Sequence, residues 1–561
     1  MYDCWAQRDQ FDTLMPLRLR WTPPCWGGST NVLGAPAADV VADIDLLLTG
    51  GKLSQGNRAI LEQAYTNALT DTDAWRPGGD ISALQAVLQL YSAVPEYHVT
   101  NNLVDSKTSS TQDRPIPDIT LPENPSPVEG YKAIVYLFMA GACDSYSLLV
   151  PTDGCGTLYD DYRNVRGDVA IPYLNQNSQW ELQPLSIDVS TSNQPCNSFG
   201  LHPSLANVHG LYVAGDAALV ANVGTLVEPL DAADYDAGSK PVPSALFAHN
   251  TQTSHTQSVF AQDSTAGGVL GRIGDALNEQ EGKEIFDAYS ISGTPKILEG
   301  APGVSKTADV LTGNGVASFT DIVSGWWGQQ YEDNIEALSQ KIVTSSYGET
   351  YSASMTNALY RMRLLDGVIG DSALVGDACF SGIDTDIGNQ LRQVARMTNS
   401  RNGLEAYRDV FYTQIGGFDT HSDNRDTVAS LLTQIDDAIG CFKAEMDNQG
   451  IWNNVTIVSA SEFGRTLTSN GLGTDHGWGG NHFMLGGSVR GGRIHGDYPS
   501  DLTDGGPFNI GRGRLIPTTP WEGVWNGVSE WFGVTPANLP AVLPNKANFA
   551  TNIFTKTDMF E

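Results

Sequence analysis

At roughly 100–200 residues per domain, the 561-residue chain has room for two to four domains. Its 64 acidic residues against 32 basic ones give a formal net charge of −32 spread along the chain, a surface that repels nucleic acid and anionic membranes and excludes both as expected partners. No stretch approaches the run of roughly 18 apolar residues that membrane insertion needs, and the balance of 41% hydrophobic to 17% charged residues is that of a folded globular protein.

The first 28 residues lack the basic-then-apolar order of a signal peptide, so either the protein is cytosolic or its true N-terminus lies upstream. Residues 39–48, 55–69 (with Ser54 as N-cap) and 81–91 read as helices, with Leu84, Val87 and Leu88 at helical spacing. Residues 1–100 therefore form a helical segment too small for an ordinary domain. Residues 101–130, rich in Ser, Thr, Pro and Asp, read as a linker, and 131–561 as the main domain.

That domain opens with a continuous apolar strand, Lys132 to Phe138, running into small residues and Asp144. An acidic residue at such a strand end is a first metal ligand or a helix cap. A second buried strand spans 217–223, and a loop follows as far as His249. Helices are expected over 202–215, 319–340, 351–370 and 387–397. Residues 409–415 form a third strand, ending in Gly416-Gly417-Phe418-Asp419-Thr420-His421. Asp419 and His421 lie two apart, so an extended backbone points both the same way, as two ligands of one metal require. A helix follows, with Val428, Leu431, Leu432, Ile435, Ile439 and Phe442 on one face.

The strand 456–460 leads to Glu462 and then to a glycine-rich loop carrying Asp475, His476 and His482. Glycines let backbone crowd a ligand, and this set of nitrogen and oxygen donors suits zinc or manganese. Glu462 is a further ligand or the salt-bridge partner of Arg465, and Arg465 either holds an anionic substrate or neutralises the acidic cluster. His249 is a ligand, a substrate-binding group or a structural histidine. Strands alternate with helices throughout, which argues for a mostly parallel sheet between helical layers. Seven cysteines contain no CxxC pair, so a zinc ribbon is not expected, and a few disulfides are compatible with secretion.

Taken together, AIVYLFMAGACDSYSLLVP, LHPSLANVHGLYVAGDAALVANVG, LFAHNTQ, GFDTHSDN, IVSASEFGRT, GTDHGWGGNHFMLGG and GRLIPTTPWEGVWNGVSEWFGV resemble the domain-of-unknown-function 1501 family, of the alkaline phosphatase superfamily. Residues 40–102 resemble the end of domain-of-unknown-function 1800 proteins, which would make them the remnant of an upstream domain. The resemblance implies a three-layer α/β/α sandwich, secretion or surface display, and two divalent metals. Zinc is expected first, with manganese, iron, magnesium or calcium as alternatives. By position it implies Asp144, Asp419, His421, Glu462, Asp475, His476 and His482 as metal ligands. Phe463 departs from the superfamily pattern, which has His there, unless Asp475-His476 replaces that pair. The implied activity is hydrolysis of a small anionic phosphate or sulfate ester, with Ser244 or Thr251 as the nearby hydroxyl nucleophile, although Ala248 stands where relatives carry Ser. The alternative is an inactive fold kept as a binding or structural module.

Overall fold

The computed structural model describes residues 36–70, 80–98, 113–114 and 127–561, apart from 153–154, 172, 175–179, 182, 190–191, 264, 302–307, 314, 316–325, 343–345 and 370–372. Most of the expected linker, 101–130, lies outside the described residues. The chain divides into two compact units, one of 1–121 with 316–367 and the other of 122–315 with 368–561.

In the first unit, the helices Ala37–Leu48, Gln55–Leu69 and Asp80–Leu90 pack with Trp326–Gln340 and most of Ser346–Ile369. Val41, Leu61, Tyr65 and Val87 share one core with Ile335, Leu338 and Leu359. The Ser54 hydroxyl accepts from Asn57 N–H at 3.3 Å and caps the second helix, as its sequence position indicates. The sequence assigned the two later helices to the main domain, but their apolar faces are complementary to the N-terminal ones.

The second unit is built on a central sheet. Its elements in chain order are β1 (Lys132–Met139), α1 (Ala206–Ala214), β2 (Ala217–Gly224), α2 (His249–Ser258), α3 (Val269–Glu281), β3 (Phe286–Ser290), β4 (Asp309–Val310), α4 (Asp386–Asn399), β5 (Arg408–Ile415), α5 (Asn424–Asn448), β6 (Val455–Ala460), β7 (Arg465–Ser469), β8 (Thr474–His476), β9 (Gly480–Leu485), β10 (Arg493–His495), β11 (Thr519–Pro520) and α6 (Trp521–Phe532). The spatial order is β10-β2-β9-β6-β1-β5-β3-β4, with β11 beside β2. Within this sheet every pairing is parallel except the two made by β9, and β7 and β8 form a separate antiparallel hairpin. Strands β1, β2 and β6 are buried along nearly their whole length, which explains their continuous apolar sequences.

Ile134, Tyr136 and Phe138 face one core together with Val269, Ile273, Trp521, Trp525 and Val528 of α3 and α6. The alternate residues Val135 and Leu137 point the other way and are equally buried. On that side α1, α4 and α5 pack on one another and against β2 and β5. The expected three-layer α/β/α arrangement with a mostly parallel sheet is present. Two disulfides, Cys155–Cys196 and Cys379–Cys441, tie loops and helices of this unit, and Cys143 is a buried free thiol.

Candidate metal centre

Strands β6, β1 and β5 are neighbours, so their C-terminal ends lie side by side where open α/β sheets bind ligands. The chain leaves β1 through Gly141, whose φ of +113° and lack of Cβ allow it to lie against Phe418 and Asp419; a Cβ there would stand 2.5 Å from Asp419 N. The Gly141 N–H donates to Glu462 Oε1 at 2.9 Å, so all three strand ends are joined at this point. The β7–β8 hairpin then brings Asp475 and His476 back over Asp419.

Three imidazoles and one carboxylate converge. His476 Nε2 lies 3.2 Å from His249 Nε2, 3.1 Å from His421 Nε2 and 3.3 Å from Asp419 Oδ1. Asp419 Oδ1 is 3.1 Å from His421 Nε2, and Oδ2 is 3.7 Å from His249 Nε2. The other ring nitrogen of each histidine is fixed by an acceptor. His476 Nδ1 donates to the Phe247 carbonyl at 2.8 Å, His421 Nδ1 to Asp475 Oδ1 at 3.0 Å, and His249 Nδ1 to Glu462 Oε1 at 2.8 Å. A carbonyl can only accept, so His476 carries a proton on Nδ1, and in its neutral form Nε2 is the lone pair. The two carboxylates impose the same tautomer on neutral His421 and His249.

The electrostatics keep those carboxylates ionised. Burial pushes the Glu462 carboxyl up, but the hydrogen bond from His249 and backbone N–H groups outweigh it and hold its pKa below the ordinary value. Asp475 is likewise held low, with its partly buried position offset by Asn470, His421 and Arg512. For Asp419 the opposing group is Arg465, whose guanidinium donates to Oδ1 at 2.7 Å and overcomes partial burial. The hydrogen bond to Glu462 raises the pKa of His249 against the effect of burial.

Lone pairs facing one another at such distances repel unless a proton or a metal cation lies among them. Donors about 2.0–2.1 Å from a tetrahedral zinc stand about 3.3–3.4 Å apart, close to the 3.1–3.3 Å contacts around His476. Histidine ligands whose far nitrogen donates to a carboxylate or carbonyl are the usual support of such ions. One donor atom each of His249, Asp419 and His476 lies within 4.8 Å of the others, with His421 flanking them through His476 and Asp419, so the residues present fit a bound divalent metal.

Of the seven ligands expected from sequence, Asp419, His421 and His476 supply converging atoms, while Glu462 and Asp475 orient imidazoles. His249 joins the cluster as a direct donor. Asp144 does not. It is fully buried and paired with Arg166 through contacts of 2.9 and 2.7 Å, with Asn424 donating to it at 3.0 Å, so a guanidinium occupies the place of a cation. His482 also lies elsewhere, buried in the sheet with its ring 5.4 Å from that of Trp521. Arg465 is wholly buried, and besides Asp419 it contacts Thr474 Oγ1 at 3.0 Å and the Gly141 carbonyl at 3.2 Å; it neutralises the cluster and has no exposed fork for a substrate. Ser244 is exposed, and its carbonyl accepts from Gln252. Thr251 turns its hydroxyl toward Asn250. The first residue of α2 is His249, with Ala248 as a cap that has no side-chain hydrogen bond.

A family model described as "Protein of unknown function (DUF1501)" matches residues 382–504. That stretch carries Asp419, His421, Glu462, Asp475 and His476 but not His249. No curated protein matches the chain. Among solved structures, the PsFucS1 sulfatase from Pseudoalteromonas sp. is similar at 10% identity and a TM-score of 0.32, over 76% of this chain and 73% of that one. The lipoteichoic acid synthase LtaP from Listeria monocytogenes is similar at 9% identity and 0.29, over 77% and 80%. Ps i-CgsB gives 12% and 0.29, over 74% and 77%. At these values the likenesses assign no residue a role.

Proposed function

We propose that His249, Asp419, His421 and His476 hold a divalent cation, zinc first, and that the protein is a metal-dependent hydrolase of phosphate or sulfate esters. The observation that carries the metal is the orientation of three imidazoles, each with Nδ1 committed to an acceptor and Nε2 turned toward a shared carboxylate. A bound cation would supply Lewis acidity, polarising a substrate oxygen and lowering the pKa of a water. The chain's own groups do the rest. Asp475 and Glu462 hold His421 and His249 in position, and Arg465 prevents Asp419 from being an uncompensated carboxylate. These donors gather at one place, which favours a single ion over the pair expected from the family resemblance. The family resemblance supports a small anionic ester acted on outside the cytoplasm, and two disulfides suit an oxidising compartment.

The contacts of Ser244 and Thr251 favour a second reading, a metal-stabilised binding module without ester turnover, because neither hydroxyl is engaged with the cluster. The test is metal content by mass spectrometry on protein purified without chelators, followed by assay of 4-nitrophenyl sulfate and phosphate. About one metal per chain, with turnover lost in Asp419→Ala, supports the hydrolase. Stoichiometric metal without turnover of either ester class favours the metal-stabilised binding module, and protein without stoichiometric metal overturns the hydrolase and leaves an inactive binding or structural module.

A further inference from the structure

Among the described residues three arginines touch the cluster or its supports, and only one of them can leave. Arg465 is locked in the interior. Arg514 donates to the His476 carbonyl at 3.1 Å and lies over the Phe247 ring. Arg512 is different: its side chain is 61% exposed and contacts Asp475 Oδ2. His421 and Asn470 both bind the other oxygen, Asp475 Oδ1, at 3.0 Å, so those contacts persist when Arg512 leaves Oδ2, which belongs to a side chain 22% exposed to water. An ion pair this exposed costs little to break.

The backbone presents this side chain deliberately. Gly511, Arg512 and Gly513 occupy three successive left-handed positions, with φ of +91°, +59° and +69°. The turn is pinned by Gly511 N–H to Asn509 Oδ1 at 2.9 Å and Arg514 N–H to the Gly511 carbonyl at 3.2 Å. A left-handed arginine between glycines is a strained arrangement of the kind found at ligand clamps. The loop is fixed, and the guanidinium is held by an exposed ion pair with Asp475.

We propose that Arg512 is the anion receptor of the site: its planar fork leaves Asp475 to grip the tetrahedral oxyanion, sulfate or phosphate, of a substrate lying over the metal cluster. The assignment of an oxyanion rests on the ester-hydrolase reading. It is a specificity-determining residue, since a neutral ester gains nothing from it.

The test is calorimetric titration of the metal-reconstituted full chain with sodium sulfate and sodium phosphate, comparing wild type, Arg512→Ala and Arg512→Lys, with metal content measured on the same samples. The expected result is binding of at least one anion by wild type, at least tenfold weaker binding in Arg512→Ala, partial recovery in Arg512→Lys, and equal metal in all three. Equal affinity in wild type and Arg512→Ala overturns the proposal. So does loss of metal in Arg512→Ala, which would make the residue a support of Asp475, and so does a metal-loaded wild type that binds neither anion. Anion binding through Arg512 without ester turnover would sink the hydrolase reading and leave the receptor standing.

Discussion

His421 is held from both sides: its Nδ1 lies 3.0 Å from Asp475 Oδ1, while its Nε2 lies 3.1 Å from His476 Nε2. The carboxylate fixes which nitrogen carries the proton and so which one faces the cluster. Asp475→Asn keeps the volume but can turn an amide N–H toward Nδ1 and release the ring. Metal affinity should fall by roughly 10–100-fold, the usual cost of removing such a support. Competition with a chromogenic chelator measures this, and unchanged affinity would mean that Asp475 does not orient His421.

Metal removal should destabilise the second unit, because a ligand bound only by the folded state adds stability in proportion to the logarithm of its saturation. At a free metal concentration about 1,000 times Kd the gain is about 4 kcal/mol. Chelation should therefore lower the unfolding temperature and added zinc should restore it. In His249→Ala the response to zinc should shrink to little or nothing. A chelator-insensitive melting curve in wild type would contradict the proposed site.

Gly141→Ala puts a Cβ 2.5 Å from Asp419 N at a residue with φ of +113°. Strain of this kind costs on the order of 1–3 kcal/mol, and relief requires the Asp419 turn to move. The expected outcome is a loss of stability in denaturant titration accompanied by weaker metal binding. Stability lost with metal affinity intact would show that the turn relaxes without disturbing the donors.

Asp144 and Arg166 form a buried pair with both side chains fully inaccessible. Removing one member of such a pair costs roughly 3–5 kcal/mol, because the other is left charged and unpaired. Arg166→Met should be strongly destabilising, and Asp144→Asn/Arg166→Met together less so than the single changes suggest. Metal per folded chain should be the same in the double variant as in wild type. A drop would place Asp144 among the ligands after all.

Three buried histidines set an acid limit on stability. Burial lowers the pKa of His482 to about 3 and those of His202 and His495 to about 4. Unfolded histidine titrates near 6.5, so between that value and the folded ones the unfolded chain binds more protons. The stability of these groups is full above about pH 6.5 and is lost as pH falls toward 4, by at most about 1.4 kcal/mol per histidine per pH unit. His482→Phe removes one of them and fits a site whose ring already packs near Trp521. Denaturant titrations at pH 7 and pH 5 should show a smaller pH effect in the variant, and an identical slope would mean that His482 is already charged when folded.

Much of the fold was legible because buried parallel strands write themselves as unbroken apolar runs. The observed β1, β2, β5 and β6 begin and end within a residue of where the sequence places them. Asp419, His421 and His476 were legible for a related reason, since they follow strand ends through glycine-rich turns. His249 carried a weaker signal: α2 reads HNTQTSHTQS, with no apolar period to announce a helix that starts at the site. Asp144 misled in the opposite direction. Its partner Arg166 is 22 residues away at the end of the helix Leu158–Arg166, and no local pattern shows that a guanidinium will claim the carboxylate. Arg512 has a local trace in Gly-Arg-Gly-Arg, but only the observed turn shows which arginine is left exposed.

The grouping of 316–367 with the N-terminal helices bears on how the chain is made. Synthesis delivers Val41, Leu61, Tyr65 and Val87 long before Ile335, Leu338 and Leu359, the residues that complete their core. At roughly 5–20 residues per second, the wait is on the order of ten to fifty seconds. Throughout it the early helices have an apolar face without its native cover, while the first half of the sheet is emerging. A shortened chain that begins after the helices has the converse problem, because its α/β unit then carries an insertion whose partners were removed. The N-terminal segment therefore belongs to the folding problem of the whole chain.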